Sequence, residues 1–209
     1  MSRRAPSLLL LIAALLIPVA ARAEPAPLGA RAEPALDRTH KLIDTFKMVK
    51  TAPEGGKLSA GDEAANAKTF TALDGFFDFP TFTSDCLGPS ASKLSPAQTK
   101  EFKERLVSIL RKRGYANGGS VFNEGVIKEG KPADRAGATA VPLKISFPKQ
   151  DVSLDVEFVW NKGGKVIDLV LDGDSLTKDY RNQIAKIIAK GGADDLLKRL
   201  ADKHKDAAK

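Results

Sequence analysis

The chain has 209 residues, 43% of them hydrophobic, with a formal charge of +7 and aromatic residues at only 6%. That is apolar material for one core and one domain. Removing Arg3, Arg4 and Arg22 with the leading segment lowers the charge from +7 to +4, a mild field that suits anionic surfaces but not nucleic acid, for which the few aromatics also offer no stacking platform.

Arg3 and Arg4 precede an apolar run at 8–17 that Pro18 closes, and Ala21-Arg22-Ala23 carries the small-x-small pattern cut by signal peptidase. The run is shorter than the about 20 apolar residues a spanning helix needs. Residues 1–23 are therefore expected to be a cleaved export signal, and 24–34, rich in Ala and Pro, a flexible leader. No cysteine follows the cut, so no lipid anchor is expected. Cys86 is the only cysteine, which in an oxidising compartment leaves it without an internal partner and reads as a small buried hydrophobe.

Leu36, Ile43, Phe46 and Val49 fall on one face at helical spacing and predict a helix over 35–50. Breakers predict a loop over 51–56, and 60–77 reads as a weakly periodic helix. Phe76, Phe77, Phe79 and Phe82 then crowd around Pro80, as a core wedge or a cavity lining. Ser95 caps the next helix, with Pro96 at its first position and Phe102, Leu106, Ile109 and Leu110 as its apolar stripe; Gly114 is expected to stop it.

Beyond Gly114 the period changes from 3.6 to 2. Val141, Leu143, Ile145 and Phe147 alternate with Pro142, Lys144 and Ser146; Val152, Leu154, Val156, Phe158 and Trp160 form a second series; Ile167, Leu169 and Leu171 form a third. Residues 161–164 (Asn-Lys-Gly-Gly) predict a hairpin turn, and 121–128 a further strand. Pro142 suits an edge or a bulge. Two helices close the chain, one lined by Leu176, Tyr180, Ile184, Ile187 and Ile188, the other by Leu196, Leu197 and Leu200. Segregated helices, strands and helices predict an α+β fold with an antiparallel sheet of about four strands between N- and C-terminal helices. One domain is expected over 35–205, with 206–209 as a disordered tail.

Residues that carry chemistry are sparse. His40 and His204 are the only imidazoles and belong to no metal-spacing motif. Gly163-Gly164-Lys165 lacks the other parts of a phosphate loop, and Asp172-Gly173-Asp174 lacks the rest of a calcium loop; Asp174 and Ser175 read instead as a helix start. No catalytic group, metal or cofactor is expected.

The C-terminal half resembles the toluene-tolerance, MlaC-like family of periplasmic phospholipid-binding proteins. The resemblance is carried by the strand at 154–160, Val166-Ile167-Asp168, Gly173-x-Ser175-Leu176, Tyr180-Arg181-x-Gln183 and Gly191-Gly192-x-Asp194-x-Leu196-Leu197. Upstream, Phe79, Leu87-Gly88, Ser95-Pro96-x-Gln98, the run 102–110 and Tyr115 follow in the family's order. Two places depart from the pattern: 89–93 lacks aromatics, and Lys165 stands where the family has an aromatic residue. The resemblance implies acyl chains held in a hydrophobic cavity between a curved sheet and its helices, with the headgroup outside. It also implies a periplasmic location, transient membrane-surface contact, and shuttling between an outer-membrane lipoprotein complex and an inner-membrane ABC transporter complex.

A lining of aliphatic and Phe side chains without buried charge suits such cargo. Phe79, Phe82, Leu106, Leu110, Val141, Leu143, Ile145, Val156, Phe158, Ile184 and Ile188 are the expected lipid-pocket residues. Three other readings stand beside this one. The first is a periplasmic chaperone for lipoproteins or other apolar ligands. The second is a small cavity-bearing α+β enzyme of the nuclear-transport-factor-like type, for which Asp168 is the only acid–base candidate. The third is an adaptor with a solid core.

Overall fold

A computed structural model of the protein describes residues 27–52 and 56–206. The expected export signal, the start of the leader, part of the 51–56 loop and the last residues of the tail lie outside the described residues. Helices α1 (Leu28–Lys47), α2 (Ala60–Asp74), α3 (Phe79–Leu87), α4 (Pro96–Ile109) and α5 (Ala116–Glu124) come first. Strands β1 (Val126–Glu129), β2 (Ala133–Arg135), β3 (Ala138–Phe147), β4 (Val152–Trp160), β5 (Val166–Leu171) and β6 (Asp174–Ser175) follow, and α6 (Leu176–Asp206) ends the fold.

The strands form one curved, unclosed antiparallel sheet in the order β1-β3-β4-β5-β6, with β2 also paired to β3. The four expected strands are present. β2 and β6, with 3 and 2 residues, are too short for alternation to mark. Pro142 pairs with Glu157 of β4, and its carbonyl accepts from Gly130 N at 2.8 Å on the other side. Its missing N–H therefore faces the place where the chain leaves β1 for β2, so the ladder loses no donor there. A register shift between Val159 and Trp160 sends Val166 to the inner face and Ile167 to the outer one, where it packs with Ala138, Val159 and Val170. The alternation had put Ile167 on the same face as Leu169 and Leu171; the bulge moves it.

Local chemistry sets the helix starts. Ser95 and Gln98 form a capping box, Ser95 Oγ accepting from Gln98 N at 3.2 Å and Gln98 Oε1 from Ser95 N at 2.9 Å. Asp78 caps α3 through Thr81 N at 3.0 Å. Ser175 Oγ accepts from Lys178 N at 3.2 Å and starts α6, which breaks at Gly192, where φ is 74°. The two expected C-terminal helices meet at that break.

Three boundaries differ from the sequence expectation. α1 begins at Leu28 and carries Pro34 inside it, because Arg31 ties its first turn to the sheet by donating to Gly137 O at 2.8 Å. Gly114 does not end the helix it follows. The chain passes through a π-turn, Leu110–Tyr115, straight into α5, so 121–124 is helix and β1 starts only at Val126. Gly118 and Gly119 are there for packing: a Cβ would fall 2.6 Å from Phe46 Cε1 at the first and 2.7 Å from Val49 Cβ at the second.

The core has two bodies. Leu42, Phe46 and Val49 of α1 and its exit, Leu73 of α2, Tyr115 and Phe122 cover the inner face of the sheet. A second, purely helical body joins Phe82, Cys86, Phe102, Leu106, Ile184, Ile188, Leu196, Leu197 and Leu200 from α3, α4 and α6. Across the first body, the buried Trp160 indole donates from Nε1 to Thr39 Oγ1 at 3.0 Å, and Thr39 donates to Ala35 O at 2.8 Å. Thr39→Val keeps the volume and strands the indole N–H, so urea unfolding should show a loss of about 1–3 kcal/mol with the fold retained. An unchanged midpoint would mean the bond contributes nothing.

Candidate functional site

The expected pocket residues fall into two groups. Val141, Leu143, Ile145, Val156 and Phe158 are buried on the inner face of the sheet, and Phe79 packs against them half-buried. Phe82, Leu106, Ile184 and Ile188, with Leu110 at the margin, belong to the helical body instead. Amphipathic periodicity identifies apolar faces; it does not say which faces meet.

A set of rings that sequence reading had not joined organises the first body. Successive centroids run Phe79–Phe77 at 5.6 Å, Phe77–Tyr115 at 5.9 Å, Tyr115–Phe46 at 6.0 Å and Phe46–Phe122 at 5.3 Å. Phe122–Phe158 at 6.2 Å and Phe158–Trp160 at 6.5 Å complete the column. All lie within the 4.5–7 Å range of attractive aromatic pairs. Tyr115 and Phe122, seven apart, share a helical face, a signal hidden by the Gly-rich stretch between them. The rings and the aliphatic side chains of β3 and β4 occupy the space between sheet and helices, so these surfaces are in contact rather than separated by an open chamber.

The π-turn places two side chains on one carboxylate. Arg111 Nε and Tyr115 Oη each donate to Asp74 Oδ1 at 2.8 Å. The guanidinium carbon of Arg111 also lies 5.3 Å from the centroid of the Phe79 ring, a cation–π arrangement. Burial, and then the bond to Asp74 and its charge, push the Tyr115 phenol well above its ordinary value, so it remains a neutral donor.

Clefts open outward around this layer. One of about 370 Å³, between α3 and α4, is bordered by Phe79, Pro80, Thr83, Lys103, Glu104, Val107 and Arg111. Another of about 600 Å³ lies at the sheet's end beside Val126, Phe147 and Lys149. A third of about 470 Å³ lies on the outer face beside Pro142, Lys144 and Glu157, with Leu143 and Val156 at its border.

The remaining candidates have structural partners. Asp168 accepts from Ser175 Oγ at 2.6 Å and Thr177 N at 3.0 Å, so both its oxygens serve the start of α6. His40 Nε2 meets Glu129 Oε1 at 2.6 Å, and His204 Nε2 meets Ser108 Oγ at 2.9 Å. Gly163-Gly164-Lys165 is a hairpin turn, with Gly164 N donating to Asn161 O at 3.0 Å. Of the departures from the family pattern, 89–93 lies in a 3₁₀ turn and Lys165 Nζ donates to Gly75 O. Among the described residues, no helix is long and apolar enough to cross a membrane.

The sequence model of the MlaC family, described as MlaC protein, matches residues 45–202. Comparison with curated proteins gave no match. Among solved structures, the chain is similar to the phospholipid-binding protein of Ralstonia solanacearum in complex with a phospholipid. That likeness has a TM-score of 0.61 and 19% identity, covering 85% of this chain and 98% of the other. At this identity it is a likeness of fold.

Cys86 is buried, and burial first, then the Asp168 and Asp85 charges, lift its thiol from 9.0 to about 12. The stability this thiol contributes is full below pH 9 and drains away as pH rises towards 12, because the unfolded chain releases the proton first. Native protein should resist iodoacetamide at about pH 8.5 and react once unfolded in urea, the thiolate being the nucleophile. Rapid labelling of the native state, read by mass spectrometry, would contradict this burial.

Proposed function

This chain belongs to the MlaC family, and on that premise we propose that it is a periplasmic phospholipid carrier. In this reading it moves lipid between the outer and inner membranes as the soluble component of an ABC transport system. An outer-membrane lipoprotein complex and an inner-membrane transporter complex are its partners, with transient contact at the membrane surface. The observation that carries the reading is the phospholipid bound to the Ralstonia solanacearum protein, whose fold this chain shares over 85% of its length.

The physical case rests on the inner face of the sheet. Each methylene withdrawn from water is worth about 0.8 kcal/mol, so two long acyl chains amount to roughly 20 kcal/mol or more and do not cross water unaided. Relative to a bilayer the gain is near zero, since the chains are already dry there. A carrier therefore needs a lining like hydrocarbon, without buried charge. Val141, Leu143, Ile145, Val156, Phe158 and Phe79 are such a lining, and Phe82, Leu106, Leu110, Ile184 and Ile188 back it from the helical body. Loading parts the ring column from the sheet. It exchanges ring–ring contacts for ring–acyl contacts, which keeps the change in buried apolar area small.

Native mass spectrometry of protein purified from a Gram-negative host should show a mass increment that organic extraction removes and identifies as diacyl phospholipid. Intact and extracted samples of equal mass would overturn the reading; an acylated peptide in its place would favour a lipoprotein chaperone. Leu143→Arg puts a charge on the inner face and should cut loading at least tenfold. Val152→Arg, at a residue 55% exposed, should leave it unchanged. Circular dichroism melting of both variants separates lost loading from lost fold.

A further inference from the structure

Resting on the carrier reading, we propose that lipid enters and leaves past Phe79, at the cleft between α3 and α4, and that Arg111 with Lys103 binds the phospholipid phosphate at that mouth. Lys103, Val107 and Arg111 recur every four residues along α4 and its π-turn, which puts a cation, an apolar side chain and a second cation on one stripe. Phe79, Pro80 and Thr83 of α3 form the opposite wall. Such a mouth is apolar at its base and carries Lys103 and Arg111 at its rim, where Glu104 is paired with Lys100 at 4.0 Å, matching an acyl chain that ends in a phosphate.

Phe79 is the point where outside and inside meet. It borders the cleft, and it stacks on Phe77, where the ring column towards the sheet begins. The column ends at Trp160 on the inner face, beside Phe158. A chain admitted at Phe79 thus meets the ring column that leads to the proposed lining.

The two cations are positioned and accessible. Arg111 spends its Nε on Asp74, its side chain is 43% exposed, and no described residue binds its Nη groups. A guanidinium fork held by one carboxylate is prepared for a phosphate's paired oxygens. Lys103 Nζ is steadied by Ser84 Oγ at 3.0 Å. Asp74 also holds the guanidinium over the Phe79 ring, so the group that receives the phosphate is the one lying on the door. The π-turn makes this possible by bringing Arg111 and Tyr115 to the same oxygen, and such turns recur at functional sites. In the cleft at the sheet's end the cation is Lys149, with Glu124 in the same lining, and on the outer face Arg135 is spent on Glu157 at 3.0 Å. The cleft beside Trp160 carries Arg31 and Arg38, but Arg31 is spent on Asp134 and Gly137 O and Arg38 donates to Gly164 O.

The test measures uptake by the signal-free chain of fluorescent phosphatidylglycerol and, separately, of fluorescent diacylglycerol, which lacks the phosphate, each from vesicles of phosphatidylcholine. Arg111→Gln and Lys103→Gln should each slow phosphatidylglycerol uptake about tenfold, as expected for a lost charge-assisted bond, and change diacylglycerol uptake less than twofold. Arg111→Lys should recover part of the loss. Asp74→Asn keeps an acceptor for Tyr115 but removes the charge that holds the guanidinium, and should slow phosphatidylglycerol uptake by less than Arg111→Gln does while changing diacylglycerol uptake less than twofold. Equal slowing of both lipids would show that Arg111 acts only in packing and would overturn the phosphate site. Slowing by Lys149→Gln with none from Arg111→Gln would move the mouth to the sheet's end and overturn the portal. A wild-type protein that takes up neither lipid would defeat the carrier reading itself.

Discussion

The inner face of the sheet governs this molecule, because it is too apolar to meet water and too broad for one helix to cover. Val141, Ile145, Phe158 and Trp160 are almost wholly buried there, and the cover comes from distant parts of the chain: α1, the end of α2, and the continuous helix through Tyr115 and Phe122. A buried polar link crosses this dry layer from Trp160 to Thr39 and satisfies both groups, while Arg31 ties α1 to the sheet at its margin. With few directional contacts, the layer is held chiefly by exclusion of water, a non-directional force. That is a suitable seam for a carrier to part, since hydrocarbon can take the place of hydrocarbon at small cost.

The second body has a different character. α3, α4 and both parts of α6 interlock around Phe102, Leu106, Ile184 and Leu196. Named polar ties hold it, with Gln98 Nε2 donating to Asp194 Oδ1 at 2.8 Å and Arg181 Nε to Asp85 O at 2.7 Å. Asp168, at the edge of the sheet, fastens α6 to β5 through the α6 cap. The helical body is thus fastened by directional bonds, and the sheet with its aromatic cover mainly by apolar contact. The junction between them carries Phe79, Asp74, Arg111 and Tyr115.

Much of this organisation was legible in the sequence. Alternation gave β3, β4 and β5; Ser95-Pro96 gave the start of α4; Asn161 to Gly164 gave the hairpin; Asp174-Ser175 gave the start of α6. Local rules suffice where the determining chemistry is local. They failed at Gly114 because the backbone there stays helical through the π-turn into α5, and a glycine stops a helix only where the chain takes up its extra conformational freedom. They failed at Ile167 because a bulge cannot be seen in a two-residue period. At the candidate site, the apolar faces were identified, but their division between two bodies depends on which helix covers which face. The ring column was missed for the same reason: its members come from α1, the α2–α3 junction, the π-turn, α5 and β4. The resemblance to the MlaC family supplied what periodicity could not, the expectation of a lipid between those layers.

Trp160 is the only tryptophan in the chain and sits at the inner end of the ring column, which makes it an internal reporter for acyl chains. Phospholipid carrying a spin label or bromine midway along an acyl chain should quench its fluorescence on loading, whereas a label on the headgroup should not. Bound lipid, demonstrated by mass, that leaves Trp160 unquenched from either position would contradict an acyl path between sheet and helices.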